Sequence, residues 1–181
     1  MSGIGWYFEA VQKGMCVDDG RELHMNIEIR RLREEDIADL ARVEGEAFSM
    51  PWSERDFREL LSRPYCFYLT ALADGRVVGG CGYTCSCGTA YIDNVVVEAG
   101  YRRQGIGQAL MAELIAGGQK EGIEAFTLEV RVSNAPAIHL YKKFGFVSEG
   151  IRPGFYEKPA EDADIMWLRL KGQEETRADG G

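Results

Sequence analysis

The sequence has no apolar run approaching the ~20 residues that a membrane-spanning helix needs. It also lacks a charged start followed by an apolar core and a small-residue cleavage site, so no secretory leader is expected. Both absences point to a cytoplasmic protein with no membrane partner. Basic residues are in the minority, 21 against 29 acidic ones, and the net charge of -8 argues against direct nucleic-acid binding through phosphate neutralisation. Cysteines number five, an odd count that suits a reducing compartment better than a disulfide framework. Cys81, Cys85 and Cys87 lie close together, but no histidine is near them and paired Cys-x-x-Cys spacing is missing. Core packing is therefore expected of them, and no metal. Nothing near His139 forms a Ser/His/Asp or Cys/His set, which removes support for a nucleophilic enzyme.

What the sequence does have is a dense pattern between two unpatterned ends. At 181 residues it suits one domain with a substantial core. Residues 1–24 show no sustained period and are expected to be a flexible, dispensable extension, or to precede a true start at Met25. Residues 172–181 are polar and glycine-ended, and disorder is expected there. Residues 25–171 carry the domain. Ile27 and Ile29 suggest a first strand, and Ile37, Leu40, Ala41, Ala47 and Phe48 follow helical spacing. Ser53 and Asp56 form a capping-box-like start to a short helix that Arg63-Pro64 stops. Strands over 65–73 and 76–86 flank Asp74-Gly75, a strong hairpin signal, and a turn at Gly88 leads to a strand over 90–97. A helix from Gly105 to Gly117-Gly118, a strand over 124–132, a helix from Ala135 to Phe144 and strands near 146–152 and 162–170 complete the chain. The order predicts an α/β fold whose sheet is mixed and mostly antiparallel, with one central parallel βαβ crossover.

The crossover opens on Val95-Val96-Val97-Glu98-Ala99-Gly100-Tyr101-Arg102-Arg103-Gln104-Gly105-Ile106-Gly107-Gln108. A β-branched strand enters a basic, glycine-containing turn and then a helix, whose first N–H groups are free and face positive dipole. Glycines there let a phosphate approach the backbone, and Arg102 and Arg103 add charge. A P-loop is excluded, because Gln108-Ala109 follows Gly107 where Lys-Ser/Thr is required. A dinucleotide turn lacks its third glycine, since Leu110 stands there, although Glu129 occupies the usual place of a ribose-binding acid. A plain strand-to-helix turn is the remaining alternative. The third cofactor reading, Arg102-x-x-Gly105-x-Gly107, is similar to the pyrophosphate arm of acetyl-CoA-dependent acetyltransferases of the GNAT superfamily.

On the following strand Phe126, Leu128, Val130 and Val132 share one face, and Thr127, Glu129 and Arg131 the other. On a wet face Glu129 and Arg131 would be a modest surface ion pair. A strand after a crossover helix usually has both faces covered, so Glu129 needs a reason, and a functional carboxylate is the expectation. Asn134 reads as a helix N-cap before Pro136, and Tyr141 as a core aromatic spaced with Ile138 and Phe144.

The resemblance is close in the run Leu-Glu-Val-Arg-x-Ser-Asn-x-x-Ala-x-x-Leu-Tyr-x-x-x-Gly-Phe, which extends from Leu128 to Phe146. That run resembles the bacterial ribosomal-protein alanine N-acetyltransferases of the GNAT superfamily. Phe48 to Ser53 with Phe57 resembles their segment before the second helix, and Tyr156 with Asp162-Ala163 resembles their C-terminal segment. The resemblance spans about 25–170. It implies a single-domain GNAT fold and transfer of acetyl from acetyl-CoA to a protein α-amine, the N-terminal alanine of a small-subunit ribosomal protein. By the same resemblance Val95, Val96 and Val97 pair with the pantetheine arm through their main chain. Arg103, Gln104, Gly105, Ile106, Gly107 and Gln108 hold the pyrophosphate, and Asn134 also contacts the cofactor. Glu129 is the implied base, Tyr141 the implied acid, and Trp52 and Tyr156 line the substrate side. Lysine or small-amine acetylation, or a non-catalytic acyl-CoA-binding regulator, stay open as alternatives.

Overall fold

The computed structural model describes residues 14–18 and 21–170, with only the backbone of 14–18 and 21–24. The polar segment from 172 onward lies outside the described residues. Strands β1 (Gly14–Asp18) and β2 (Arg21–Met25) pair antiparallel as a separate two-stranded sheet. Sequence periodicity shows nothing there, because a lone two-stranded hairpin needs no amphipathic alternation toward a core. Met25 therefore ends a strand, and the next one, β3, is Ile27–Arg31.

Helix α1 (Ile37–Ala47) and helix α2 (Glu54–Leu61) follow. The Ser53–Asp56 capping box is formed in both directions at the start of α2. Strands β4 (Cys66–Ala73), β5 (Arg76–Ser86) and β6 (Thr89–Val97) make a meander. Its two tight turns hold consecutive positive-φ residues, Asp74-Gly75 and Cys87-Gly88, as the right-handed twist of hairpins demands. Helix α3 (Ile106–Lys120) then crosses to β7 (Ala125–Arg131), and α4 (Ala135–Lys143) leads into the hairpin of β8 (Val147–Glu157) and β9 (Ala160–Arg169). The main sheet has seven strands in the order β3-β4-β5-β6-β7-β9-β8, antiparallel throughout except for β6 beside β7. That is the mixed α/β architecture expected.

Two apolar clusters cover the two faces of the sheet. Ile37, Leu40, Val43, Phe57 and Leu60 from α1 and α2 meet Tyr68, Leu72, Val77 and Val96 on one side. Ile106, Leu110, Met111 and Leu114 from α3, with Tyr141 from α4, meet Leu69, Val78, Ile92, Phe126, Leu128 and Val130 on the other. Three sequence expectations change. Helix α3 does not stop at Gly117-Gly118; a Cβ there would lie 2.7 Å from the Phe67 ring and 2.5 Å from the Phe126 ring, so these glycines admit aromatic rings against the helix. The chain turns instead at Gly122, with φ +80°. Val132 lies beyond the end of β7 and is exposed, off the core face. The last hairpin is longer than 146–152 and 162–170 suggested, and β8 is exposed along almost its whole length.

Candidate active site

The parallel pairing of β6 with β7 lasts three residues, Thr89↔Ala125 to Tyr91↔Thr127, and then stops. Both strands continue, β6 to Val97 and β7 to Arg131, so the sheet opens between them. On its other side β6 stays paired to β5 as far as Gly79↔Val97. Glu98 N–H donates to the Val78 carbonyl, so strand alternation turns the main chain of Val95 and Val97 toward the opening and that of Val96 toward β5. The expected trio thus divides. Val95 and Val97 present polar backbone to the gap, while Val96 places its side chain in the core under α1.

At the end of the gap Gly105 precedes α3 with φ +83° and ψ -6°, a left-handed conformation natural to glycine. It carries no side chain to cap the helix, and the first intrahelical bond is Ala109 N–H to the Gly105 carbonyl. The N–H groups of Ile106, Gly107 and Gln108 are left facing outward at the positive dipole end, an arrangement suited to an anion. Arg102 folds back to donate to the Val97 carbonyl at 2.8 Å, and Gln104 donates to the Gly100 carbonyl at 3.2 Å. Arg103, at φ +65°, is exposed.

Glu129 sits on β7 facing the α1–α2 side of the opening. Its surroundings differ from both sequence expectations. It does not pair with Arg131, and it is not sealed in: its side chain is 31% accessible and accepts a hydrogen bond from Arg152 Nη1 at 3.0 Å. The reason is the exposed β8 strand, which leaves this face open at its rim. Arg131 turns instead to the β8–β9 turn, donating to the carbonyls of Lys158 and Pro159, each at 2.9 Å, and to Glu161 at 3.1 Å. Ser49, in the loop between α1 and α2, donates to the same Lys158 carbonyl at 2.6 Å. That bond bridges the loop and the hairpin. Tyr156 stands beneath, its hydroxyl donating to the Glu129 carbonyl at 3.1 Å and its ring 4.1 Å from the Arg131 guanidinium.

Tyr141 enters from the opposite, α3–α4, side. It is buried in the core, as its spacing with Ile138 and Phe144 implied, and packs on Phe146; desolvation pushes its phenol pKa well up, with the charges of Cys81 and Tyr156 adding to it. Its hydroxyl makes no hydrogen bond to another described residue. Asn134 caps α4 by accepting from Ala137 N–H at 3.2 Å. Trp52 is half-buried between Phe57 and Tyr68, at 5.4 and 6.3 Å between ring centroids. Cys81 is buried with its thiol toward the Leu110 carbonyl, Cys87 is exposed in its turn, and among the described residues no three His, Cys, Asp or Glu side chains converge as metal ligands. Nor is any described helix long and apolar enough to cross a membrane.

The acetyltransferase (GNAT) family model matches residues 35–146. The chain belongs to the GNAT acetyltransferase family. Members of that family transfer an acyl group from acyl-CoA, which accounts for a split sheet ending in an uncapped helix. A protein of Bacillus subtilis (strain 168), named provisionally as a ribosomal protein bS18-alanine N-acetyltransferase, is 38% identical over 143 residues, 78% of this chain and 95% of that one. The Escherichia coli (strain K12) bS18-alanine N-acetyltransferase is 36% identical over 145 residues, 78% of this chain and 97% of that one. The crystal structure of the Escherichia coli ribosomal-protein-S18-alanine N-acetyltransferase superimposes with a TM-score of 0.76 at 32% identity, covering 83% of this chain and 97% of that one.

A polar network behind the site has only a faint trace in the sequence. Glu44 of α1 is buried and accepts hydrogen bonds from Asn94 Nδ2 and, at 3.4 Å, from Trp52 N–H. Tyr68 completes the chain by donating to Asn94 Oδ1 at 2.8 Å. The network ties α1, the loop carrying Trp52 and strand β6 together. Its trace is Asp93-Asn94, two adjacent polar residues inside an apolar strand. They mark a β-bulge, where the register against β5 slips between Gly82 and Tyr83. Desolvation raises the Glu44 pKa to about 7. A folded value above the unfolded ~4.3 stabilises fully below ~4.3, and that contribution is lost as pH rises through about 7. Urea unfolding at pH 5 and pH 8 is therefore expected to show a smaller pH-dependent loss in Glu44→Gln than in the wild type. Equal losses would show that Glu44 ionises at no cost.

Proposed function

We propose that this acetyltransferase acts on the α-amine of a protein N-terminus, specifically the N-terminal alanine of a bS18-type small ribosomal-subunit protein, with acetyl-CoA as donor. The reading is carried by the 36% identity shared with the Escherichia coli bS18-alanine enzyme over 97% of its length. Residues 25–171 are assigned as the acetyltransferase domain, with 1–24 as an N-terminal extension and 172–181 as a tail. The site is assigned to the cytoplasm and needs neither metal nor nucleic acid.

The geometry supports a direct transfer. Acetyl-CoA supplies an acetyl thioester whose carbonyl carbon a neutral amine attacks, forming the C–N bond as the C–S bond breaks. An α-ammonium group, at ~7.7–8, loses its proton far more readily than lysine at ~10.4, so a carboxylate base suffices. Glu129, on the acceptor face, takes that proton through water. Tyr141, on the cofactor face, gives its proton to the departing thiolate, and burial keeps the phenol protonated for that purpose. Val95 and Val97 orient the pantetheine arm, and residues 103–108 hold the pyrophosphate, with Asn134 beside them. Trp52 and Tyr156 shape the acceptor side.

A panel of peptides tests the assignment. Labelled acetyl-CoA is expected to modify a peptide beginning with the bS18 alanine far faster than the same peptide with a blocked N-terminus and an internal lysine. Preference for the internal lysine would move the enzyme to the lysine class. Binding of acetyl-CoA without transfer to any amine would make it a regulator.

A further inference from the structure

The acceptor side holds a second carboxylate. Tyr91↔Thr127 is the last parallel pair before β6 and β7 separate, and both side chains lie on the face away from α3. Glu129 is two residues beyond Thr127 and shares its face by strand alternation. Asp93 is two residues beyond Tyr91, and it shares that face for a different reason. It is the extra residue of the β6 bulge, left without a partner while Ile92 pairs with Tyr83 and Asn94 with Gly82. Thr84, which pairs directly with Tyr91, donates from Oγ1 to Asp93 Oδ2 at 3.0 Å, fixing the carboxylate on the Tyr91 face. The two acids therefore stand on the two lips of the opening.

Their partners differ. Glu129 already has Arg152 at 3.0 Å. Asp93 has a hydroxyl and no cation among the described residues. The groups around it are Thr84 of β5, Cys66 of β4 (3.6 Å from the same Thr84 hydroxyl), Tyr68 of β4, Tyr91 and Asn94 of β6, and Glu44 of α1 behind Asn94, with Glu129 of β7 on the other lip. None is positive. A carboxylate held in place at the mouth of an acceptor cleft, without a counter-ion, is complementary to an incoming ammonium group.

We propose that Asp93 binds the α-ammonium group of the acceptor as it enters, ahead of its deprotonation at Glu129. This rests on the α-amine reading given above. Asp93 acts as the specificity residue that pulls a free N-terminus into the gap, and Glu129, partly offset by Arg152, takes the proton. Asp93 stays accessible at the mouth, and desolvation by the strands around it, opposed by the Thr84 hydrogen bond, lifts its pKa to about 6, so it carries its charge at neutral pH and loses it in mild acid.

Binding without turnover tests the assignment, using the full chain saturated with CoA and calorimetry with two peptides. One begins with alanine; the other is its des-amino analogue, beginning with a propionyl group. The wild type is expected to prefer the alanine peptide and to lose about tenfold in affinity between pH 7 and pH 5, as a group titrating at about 6 is discharged. Asp93→Asn, which keeps an acceptor for Thr84, is expected to lose both the preference and the tenfold component. Any pH effect arising at Glu44 remains in both proteins and cancels in the comparison. CoA affinity is expected to be unchanged in the variant, which reports an intact fold and cofactor side. Retained alanine preference in Asp93→Asn overturns the role of Asp93 alone. A wild type that binds both peptides equally overturns the α-amine acceptor, and the role of Asp93 with it.

Discussion

Gly107→Val is expected to weaken acetyl-CoA binding by at least about tenfold while barely changing the melting temperature. Gly107 is the second residue of α3, and its N–H is one of the three left facing outward at the helix start. A Cβ built there meets Leu140 of α4 at 3.5 Å and Val97 of β6 at 3.9 Å, both ordinary contacts. The fold therefore has room for a Cβ at this position. Valine is also a better helix former than glycine, so the helix itself loses nothing. The branches of valine are instead expected to project between α3, α4 and the end of β6, into the space proposed for the cofactor arm. Calorimetry with acetyl-CoA, beside a thermal melt, separates the two effects. Unchanged affinity would move the phosphates away from this helix, and binding of NADH in place of acetyl-CoA would revive the dinucleotide reading. Gly105 is the less clean target. Any other residue at φ +83° incurs about 1–2 kcal/mol of strain, so Gly105→Val changes stability and affinity together.

Glu129→Gln is expected to lower kcat by ~10²-fold or more, because the amide keeps the shape and removes the base. Tyr141→Phe keeps the packing against Phe146 and deletes only the donor, so its loss also belongs in kcat, with acetyl-CoA affinity nearly unchanged. The two losses are expected to be less than additive if both groups serve one transition state. Arg152 gives a further readout, since Arg152→Met removes the partner of Glu129 without touching the base itself. That variant is expected to keep most of the wild-type kcat while Glu129→Gln does not, which separates loss of the base from loss of the ion pair. Wild-type rates in both Glu129→Gln and Tyr141→Phe would reduce Glu129 to an ion-pair residue and Tyr141 to core, and the mechanism would be wrong.

Chemistry that is local along the chain is legible in the amino-acid order itself. The Ser53–Asp56 capping box, the Asp74-Gly75 turn, the Asn134 cap and the glycine turn at the start of α3 are each decided within about four residues, and each forms as expected. The crossover between β6 and β7 is legible too, because one parallel pair in a chain of hairpins leaves few ways to connect. Boundaries fail where a distant partner decides them. Gly117 and Gly118 resemble a helix stop, yet the Phe67 and Phe126 rings lie against them and the helix runs on. The partner of Glu129 is Arg152, 23 residues away on an edge strand, rather than Arg131 on its own face.

Sequence alone determined the family and the fold class, a mixed, mostly antiparallel sheet with one parallel crossover, since turn chemistry, caps and two-residue alternation act over short range. Tertiary structure decided how the site is divided. Only the packed sheet shows that pairing between β6 and β7 ends at Tyr91↔Thr127, that the bulge at Asp93 turns Asn94 toward Glu44, and that Val96 faces β5 while Val95 and Val97 face the gap. The physical reason is that one unpaired residue reverses the faces of everything after it. Where that residue falls depends on the register of a neighbouring strand rather than on the strand's own sequence.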